Sequence, residues 1–174
     1  MINYIKRFFV LINYNRRRKI ISAHIGRKNN LEILDIGCGD AGFLKYIGTK
    51  IKNCELSGVE PTLHRGVNYD NVNIYNSELI ACSFKDKSFD VITMCHSIEH
   101  IPNPDKILKD IYRILKDDGE LILAFPNRNS FGYKITGKYW FHLDPLKHIN
   151  QFDAKSVRLL LEQCGFKIKK INYL

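Results

Sequence analysis

A strand that runs into a glycine-rich turn and then a helix is the feature that most limits what this chain can fold into. Residues 31–36 are mostly apolar, and Gly37, Gly39 and Gly42 follow them before apolar residues recur at helical spacing from Phe43. Glycine lets the backbone approach a ligand closely, and the start of a helix offers free N–H groups to an anion. The segment therefore predicts a ligand at a strand–turn–helix unit, although Gly-x-Gly-x-x-Gly alone is also the dinucleotide-binding fingerprint.

Two acidic residues narrow the nature of that ligand. Asp35 lies two residues before the first glycine, where a dinucleotide-binding strand normally has an apolar residue. Glu60 ends the next predicted strand, 18 residues after Gly42. A carboxylate at that place can accept hydrogen bonds from ribose hydroxyls. The pair therefore indicates a ribose-containing ligand held at the turn.

Predicted strands and helices alternate from residue 31 onward. A helix begins near Pro104, with Asn103 as its cap, and another begins after Asp153 and ends near Gly165. Apolar strands that alternate with helices are typical of a parallel sheet covered on both faces. We therefore predict an α/β fold, a Rossmann-like, doubly wound, mostly parallel sheet with helices on both faces. Its six predicted strands are 31–36, 55–60, 72–75, 89–95, 119–125 and 166–174.

The positive charge of the chain is concentrated at its start. The formal net charge is +9, and residues 1–30 carry eight basic residues and no acidic one. We therefore divide the chain into a basic amphipathic N-terminal helical segment, 1–30, and a nearly neutral domain, 31–174. The favoured interpretation of the first segment is a packed helix with a solvated basic face. Peripheral contact of residues 1–28 with an anionic membrane surface is an alternative, and nucleic-acid binding is the least favoured one.

The cysteines indicate the compartment. Their number is odd, five, and no Cys-x-x-Cys pair is present. They are typical of reduced thiols rather than of a disulfide framework or a zinc site. We expect a cytoplasmic protein, peripheral to the inner membrane surface if the basic segment docks there.

An ordered set of motifs resembles a known family. The quoted segments are Asp35-Ile36-Gly37-Cys38-Gly39, Glu60, Ser88-Phe89-Asp90-Val91-Ile92, Ile98-Glu99-His100-Ile101-Pro102-Asn103-Pro104 and Ile114-Leu115-Lys116-Asp117-Asp118-Gly119-Glu120-Leu121. They are similar to class I S-adenosylmethionine (SAM)-dependent methyltransferases. The segment from Trp140 to Phe152 resembles the small-molecule branch with type 11 or type 23 methyltransferase domains. The resemblance implies SAM as cofactor, S-adenosylhomocysteine (SAH) as product, and a small-molecule acceptor. We expect no metal, because the sulfonium of SAM already activates its methyl group.

The resemblance also implies which residues hold the cofactor. The methionine part would lie at Asp35 and the glycine turn, the ribose at Glu60, and the adenine near Glu78 and Leu79. His96 would follow the fourth strand at the floor of the site. The full implied set is Asp35, Gly37, Cys38, Gly39, Gly42, Glu60, Pro61, Glu78, Leu79 and His96.

Transfer to a hydroxyl group requires a base, and histidine is the residue type with a pKa near neutral. The candidates are His148 first, then His142 and His96, because they follow strand ends or lie in the aromatic segment of 126–152. We expect His100 to be structural. A metal site from His142, Asp144 and His148 is not favoured, because no regular register makes these residues converge.

Two features depart from the family pattern. Ala41 stands where the family often has glycine, and we expect binding to survive this change. The family sheet has a seventh, antiparallel strand, which is apparently absent here. A shorter sheet, a neighbouring chain on the sheet edge as in a homodimer, or a truncated sequence would explain it.

The alternatives to a hydroxyl-directed methyltransferase are a non-catalytic SAM-binding partner or regulatory subunit and, less favoured, an NAD-dependent oxidoreductase.

Overall fold

The computed structural model describes residues 2–25, 30–62, 71–140, 144 and 147–173, with the backbone alone for 2–9 and 23–25. Across these ranges five strands form one parallel sheet with the order β3-β2-β1-β4-β5. The strands are β1 (Leu31–Ile36), β2 (Cys54–Val59), β3 (Asn73–Tyr75), β4 (Phe89–Cys95) and β5 (Leu115–Ala124). The helices are α1 (Ile2–Ile25), α2 (Gly42–Lys50), α3 (Pro104–Ile114), α4 (Phe131–Thr136) and α5 (Ala154–Gln163). Short 3-10 helices lie at Leu79–Cys82, Ile98–His100 and Gly137–Tyr139.

The strand order reverses between β1 and β4. β2 and β3 extend the sheet on one side of β1, and β4 and β5 extend it on the other. Ligands of open parallel sheets bind beyond the carboxyl ends of the strands at such a reversal. The turn after β1 and the segment after β4 therefore border the expected site.

Each face of the sheet has its own apolar core. Ile33 and Val91 pack with Leu44 of α2 on one face, and Leu34 and Ile92 contribute to the opposite face. The second face is covered by α3 and α5 through Leu108, Ile111 and Val157, among others. The α/β class and the helices on both faces are thereby confirmed.

Helix α1 packs on the first face, against α2. Ile21 is fully buried, and the ring of Tyr14 lies 5.3 Å from that of Phe43 and 5.6 Å from that of Tyr46. Arg16 and Lys19 are exposed. Among the described residues, no helix has the length and apolar character needed to cross a bilayer.

The predicted sixth strand, 166–174, is wrong for residues 166–173, which form neither strand nor helix. Phe166 and Ile168 are half-buried, and Lys167 and Lys169 are exposed. The segment instead makes side-chain contacts, with Phe166 on the ring of Tyr112 at 5.2 Å and Lys169 Nζ 2.5 Å from Glu120 Oε1. Within the described ranges β5 has β4 as its only strand neighbour, and the sheet contains no antiparallel strand.

The predicted helix ends agree with the structure with one exception. Asp153 caps α5, accepting a hydrogen bond from the Ser156 backbone N–H, and Gly165 adopts a left-handed φ of 95°. Pro104 begins α3 as predicted. The side chain of Asn103, however, makes no capping hydrogen bond.

Candidate cofactor site

The turn after β1 bends through left-handed backbone at Gly37, Gly39 and Ala41, with φ of 72°, 54° and 57°. The Gly37 N–H donates to the Val59 carbonyl at 2.8 Å, which fixes the turn to the end of β2. A Cβ added at Gly37 would overlap the Ser97 hydroxyl and lie 2.9 Å from Ser97 Cβ, whereas one at Gly39 would meet nothing within 4 Å. The first glycine is thus required by protein packing, and the second faces open space.

Glu60 follows β2 and contacts the same turn. Its Oε2 accepts a hydrogen bond from the Gly39 N–H at 3.0 Å, and its Oε1 accepts from Thr62 N–H at 3.0 Å and Thr62 Oγ1 at 2.6 Å. These bonds hold the carboxylate at the carboxyl edge of the sheet. The predicted neighbourhood of Glu60 and the glycine turn therefore exists in the structure.

Asp35 is a buried carboxyl group inside β1, 4% exposed. It accepts a short hydrogen bond from Thr93 Oγ1 of β4, and Arg17 Nη1 lies 3.7 Å from its Oδ1. Burial raises the pKa of Asp35 to about 6, although Arg17 and Thr93 oppose the shift and Glu60 adds to it. At neutral pH Asp35 is therefore an anion that gains from a further positive charge nearby.

Arg17 of α1 is a site residue that the sequence analysis missed. Its guanidinium lies 3.4 Å from the ring centroid of Phe43 and is only 13% exposed. The Tyr14 hydroxyl of the same helix lies 2.9 Å from the Cβ position of Gly42. Helix α1 therefore covers the glycine turn and brings a cation to it.

The segment after β4 closes the other side of the turn. His96 has a left-handed φ of 54° and a side chain that is 55% exposed, with Nδ1 3.6 Å from Glu99 Oε1. The Ser97 hydroxyl donates to the Ile36 carbonyl at 3.2 Å, which ties this segment to the end of β1. Burial opposes ionisation of Glu99, but the nearby imidazoles of His96 and His100 outweigh it and lower the pKa of Glu99.

His148 packs against this segment. Its ring lies 4.9 Å from the ring of His100, and His100 Nδ1 is 2.9 Å from the Lys147 carbonyl oxygen. The Asn150 N–H donates to the Glu99 carbonyl at 3.0 Å. His96 and His148 thus border the same end of the sheet, while His142 lies outside the described residues.

The remaining predicted residues are more dispersed. Pro61 and Glu78 are exposed, and Leu79 is buried in the core. Cys38 is buried behind the turn, and burial raises the pKa of its thiol to about 12, so the thiol is neutral. The roles assigned to these residues stay predictions.

Comparison with known proteins identifies the family. A family model described as a methyltransferase domain matches residues 9–171. A SAM-dependent methyltransferase from Thermotoga maritima superposes with a TM-score of 0.65 at 26% identity, over 96% of this chain and 78% of that one. The [4+2]-cyclase SpnF shares the fold, with a TM-score of 0.69 at 19% identity over 89% of this chain and 57% of that one.

Curated relatives match over part of their length. A sterol 4-C-methyltransferase of Caenorhabditis elegans is 32% identical over 118 residues, which are 60% of this chain and 35% of that protein. A demethylmenaquinone methyltransferase of Lactobacillus johnsonii is 28% identical over 130 residues, 62% of this chain and 53% of that protein. The chain thus spans about half or less of these two relatives. The family model nevertheless covers nearly all of it, and the chain belongs to the methyltransferase domain family, within the class I fold of SAM-dependent methyltransferases.

Proposed function

We propose that the chain transfers a methyl group from SAM to a small molecule, at a hydroxyl group. The observation that carries the proposal is the arrangement of Asp35 and Glu60 around one glycine turn, at the strand-order reversal. The family assignment favours this interpretation over the nicotinamide-dependent alternative.

The residues at the turn fit the chemistry of SAM. The cofactor has an amino-acid part with both charges and a ribose with two hydroxyls. A buried anion at Asp35 suits the ammonium group, and the exposed side of Glu60 suits the ribose. Open space at Gly39 allows the ligand to approach the backbone. When bound, SAM supplies a methyl group already activated by its sulfonium.

The role of the protein residues is then to bind SAM and to orient it toward the acceptor. Arg17 lies beside Asp35 and is the described cation nearest to that carboxylate, which suits the carboxylate of the amino-acid part. Because the methyl group moves by in-line displacement, positioning of the acceptor supplies much of the rate.

A hydroxyl acceptor also has to lose its proton. His96 and His148 both lie at the segment after β4, where the acceptor side of the site is expected. Imidazoles at that edge support an oxygen acceptor. Two curated relatives are named for quinone pathways: the demethylmenaquinone methyltransferase of Lactobacillus johnsonii and a ubiquinone biosynthesis O-methyltransferase of Glaesserella parasuis. A phenol or quinol is therefore the first acceptor class to assay.

Calorimetric titration with SAH tests the cofactor assignment. We expect micromolar binding by the wild-type chain and at least tenfold weaker binding by Glu60→Gln. Glu55→Gln is the matched control, because Glu55 is an exposed residue of β2, the strand that Glu60 follows. No binding by folded wild-type protein, or equal losses in both variants, would overturn the assignment.

Transfer itself is tested with methyl-labelled SAM and a panel of phenols, quinols and sugars. Label in an acid-stable ether product supports hydroxyl methylation. Label on carbon or nitrogen contradicts the hydroxyl acceptor. SAH binding without label in any product favours the non-catalytic alternative.

A further inference from the structure

Three side chains that bind metals in other proteins converge beside the cofactor turn. A carboxylate oxygen of Glu99 and one ring nitrogen each of His100 and His148 lie within 4.8 Å of one another. Glu99 is buried, His148 is half-buried and His100 is exposed. The cluster therefore has a closed carboxylate floor and a side open to solvent.

The floor of this cluster is a buried carboxylate that makes no direct hydrogen bond. Glu99 is 2% exposed, and neither of its carboxylate oxygens has a hydrogen-bond partner. His96 Nδ1 lies 3.6 Å from Oε1, which is within ion-pair distance but beyond hydrogen-bonding distance. Buried carboxylates are normally paired or bound to a metal, so a cation bound at Glu99 would stabilise its charge.

A hydrogen bond orients the imidazole of His100, and two further bonds fix the backbone around Glu99. The Lys147 carbonyl can only accept, so His100 Nδ1 carries the proton and the lone pair is on Nε2. Asn150 bonds Glu99 O through its N–H and Ile101 O through Nδ2, at 3.0 and 2.6 Å. Such outer bonds to a ligating histidine and its loop are typical of metal centres.

We propose that Glu99, His100 and His148 bind one divalent first-row transition-metal ion of the zinc class. Two imidazoles and one carboxylate form a ligand set that these ions accept in proteins, and they leave a coordination position open. Ligands about 2.1 Å from a tetrahedral ion lie about 3.4 Å apart, so the cluster closes by about 1 Å on binding. This site revises the expectation of a metal-free protein, of a structural His100 and of His148 as the base, and it leaves His96 as the candidate base.

The location gives the ion a role, and this role rests on the proposed function. Ser97, between His96 and Glu99, contacts both the Ile36 carbonyl and the place of Gly37. The ion would thus lie beside the cofactor turn on the acceptor side. A hydroxyl bound at the open position would have a lower pKa and would give its proton more readily to His96, the candidate base that is not a ligand. Its oxygen then attacks the methyl carbon, and the electrons of the broken C–S bond stay on sulfur. The acceptor class is accordingly one with a metal-binding oxygen, such as a catechol or an enediol.

The test uses the full chain, freed of any affinity tag and dialysed against a chelator. We titrate it with Co²⁺, following visible absorption and calorimetric heat, and then displace the cobalt with Zn²⁺. We expect one Co²⁺ per chain, with affinity reduced at least tenfold in His148→Ala and in His100→Ala. The absorption should lack a thiolate charge-transfer band, because the ligand set contains no cysteine.

Variants separate the site from nonspecific binding. Glu99→Gln keeps the shape and removes the charge, and should also lose at least tenfold in affinity. Glu162→Gln makes the same change on exposed α5 and should leave Co²⁺ binding within twofold. Circular dichroism checks that each variant is folded. Since His148 lies on a loop, its variant remains informative if Glu99→Gln misfolds.

The outcomes separate the two proposals. Folded wild-type protein without stoichiometric Co²⁺ binding, or with affinity unchanged in both histidine variants, overturns the metal site. SAH is titrated into the same metal-free and loaded samples. SAH binding without a metal site refutes this inference alone, whereas a metal site without SAH binding supports it and refutes the proposed function.

Discussion

Gly37 and Gly39 both have left-handed backbone, but the structure predicts that alanine at Gly37 mainly lowers stability and alanine at Gly39 mainly lowers cofactor affinity. A left-handed alanine costs about 1–2 kcal/mol at either position. At Gly37 the new methyl group also overlaps the Ser97 side chain, and such overpacking costs about 1–3 kcal/mol more. Loss of unfolded-state freedom returns about 0.4–1 kcal/mol in both variants. Gly37→Ala should therefore lose about 2–4 kcal/mol of unfolding free energy, and Gly39→Ala about 1 kcal/mol.

The loss of cofactor affinity should be larger for Gly39→Ala than for Gly37→Ala, which is the reverse of the order for stability. A methyl group at Gly39 projects into the open space assigned to SAM, so Gly39→Ala should bind SAH at least tenfold more weakly while staying folded. Urea unfolding followed by circular dichroism gives the stabilities, and calorimetry gives the affinities. The two glycines would then be separated as one structural and one ligand-binding residue.

A double-mutant cycle tests the assigned cause. Ser97→Gly removes the side chain that the Gly37→Ala methyl group meets, so the double variant should recover at least about 1 kcal/mol relative to additivity. Equal unfolding free energies for Gly37→Ala and Gly39→Ala would refute the steric argument. Additive effects of Gly37→Ala and Ser97→Gly would refute it as well.

Three further predictions concern charged residues. Burial raises the pKa of folded Asp35 to about 6 from 3.8, with Arg17 and Glu60 as the charged neighbours, so the folded state binds the proton more tightly. As the pH rises from 4 to 7, the wild-type protein should therefore lose about 2 kcal/mol of unfolding free energy relative to Asp35→Asn. A difference in unfolding free energy between the two proteins that stays constant with pH in urea titrations would contradict this. Arg17→Met keeps the apolar stem on Phe43 but should bind SAH about tenfold more weakly, whereas Arg16→Met should not, and equal affinities would remove Arg17 from the site. If the basic segment docks on membranes, the double charge reversal Arg16→Glu and Lys19→Glu should abolish sedimentation with anionic vesicles and leave SAH affinity unchanged; wild-type protein that does not sediment refutes docking.

Local signals predicted the strands closest to the sheet centre. β1 and β4 have the predicted bounds, because each is a mostly apolar run that ends at glycine or polar residues. β5 begins at Leu115, four residues before the predicted start at 119, because Leu115 pairs with Phe89 despite the charged residues that follow it. At 166–173 the pattern favours a strand, but within the described residues the backbone has no strand partner. Pairing depends on a neighbour that a local pattern does not contain.

The candidate site also has one part that local sequence signals predicted and one part that they did not. Asp35 and Glu60 were predicted from their spacing to the glycine turn, since strand length and turn length fix where a carboxylate falls. The cluster at Glu99 and His100 was not, because His148 comes from a loop 48 residues beyond His100. The sequence analysis instead weighed His148 with His142 and Asp144, its neighbours along the chain. Convergence of distant loops follows from tertiary packing alone.

The basic N-terminal segment shows why a charge count does not assign a function. Successive residues of a helix point about 100° apart, so neighbours in a basic run face different surroundings. Arg16 is exposed to solvent, while Arg17 lies over Phe43 and beside the buried Asp35. Deleting residues 1–19 would remove Tyr14 and Arg17 together with the exposed cations, so loss of vesicle binding and loss of cofactor binding would coincide. Substitutions confined to the exposed cations Arg16 and Lys19, or to Arg17 alone, separate a role at the membrane from a role at the cofactor turn.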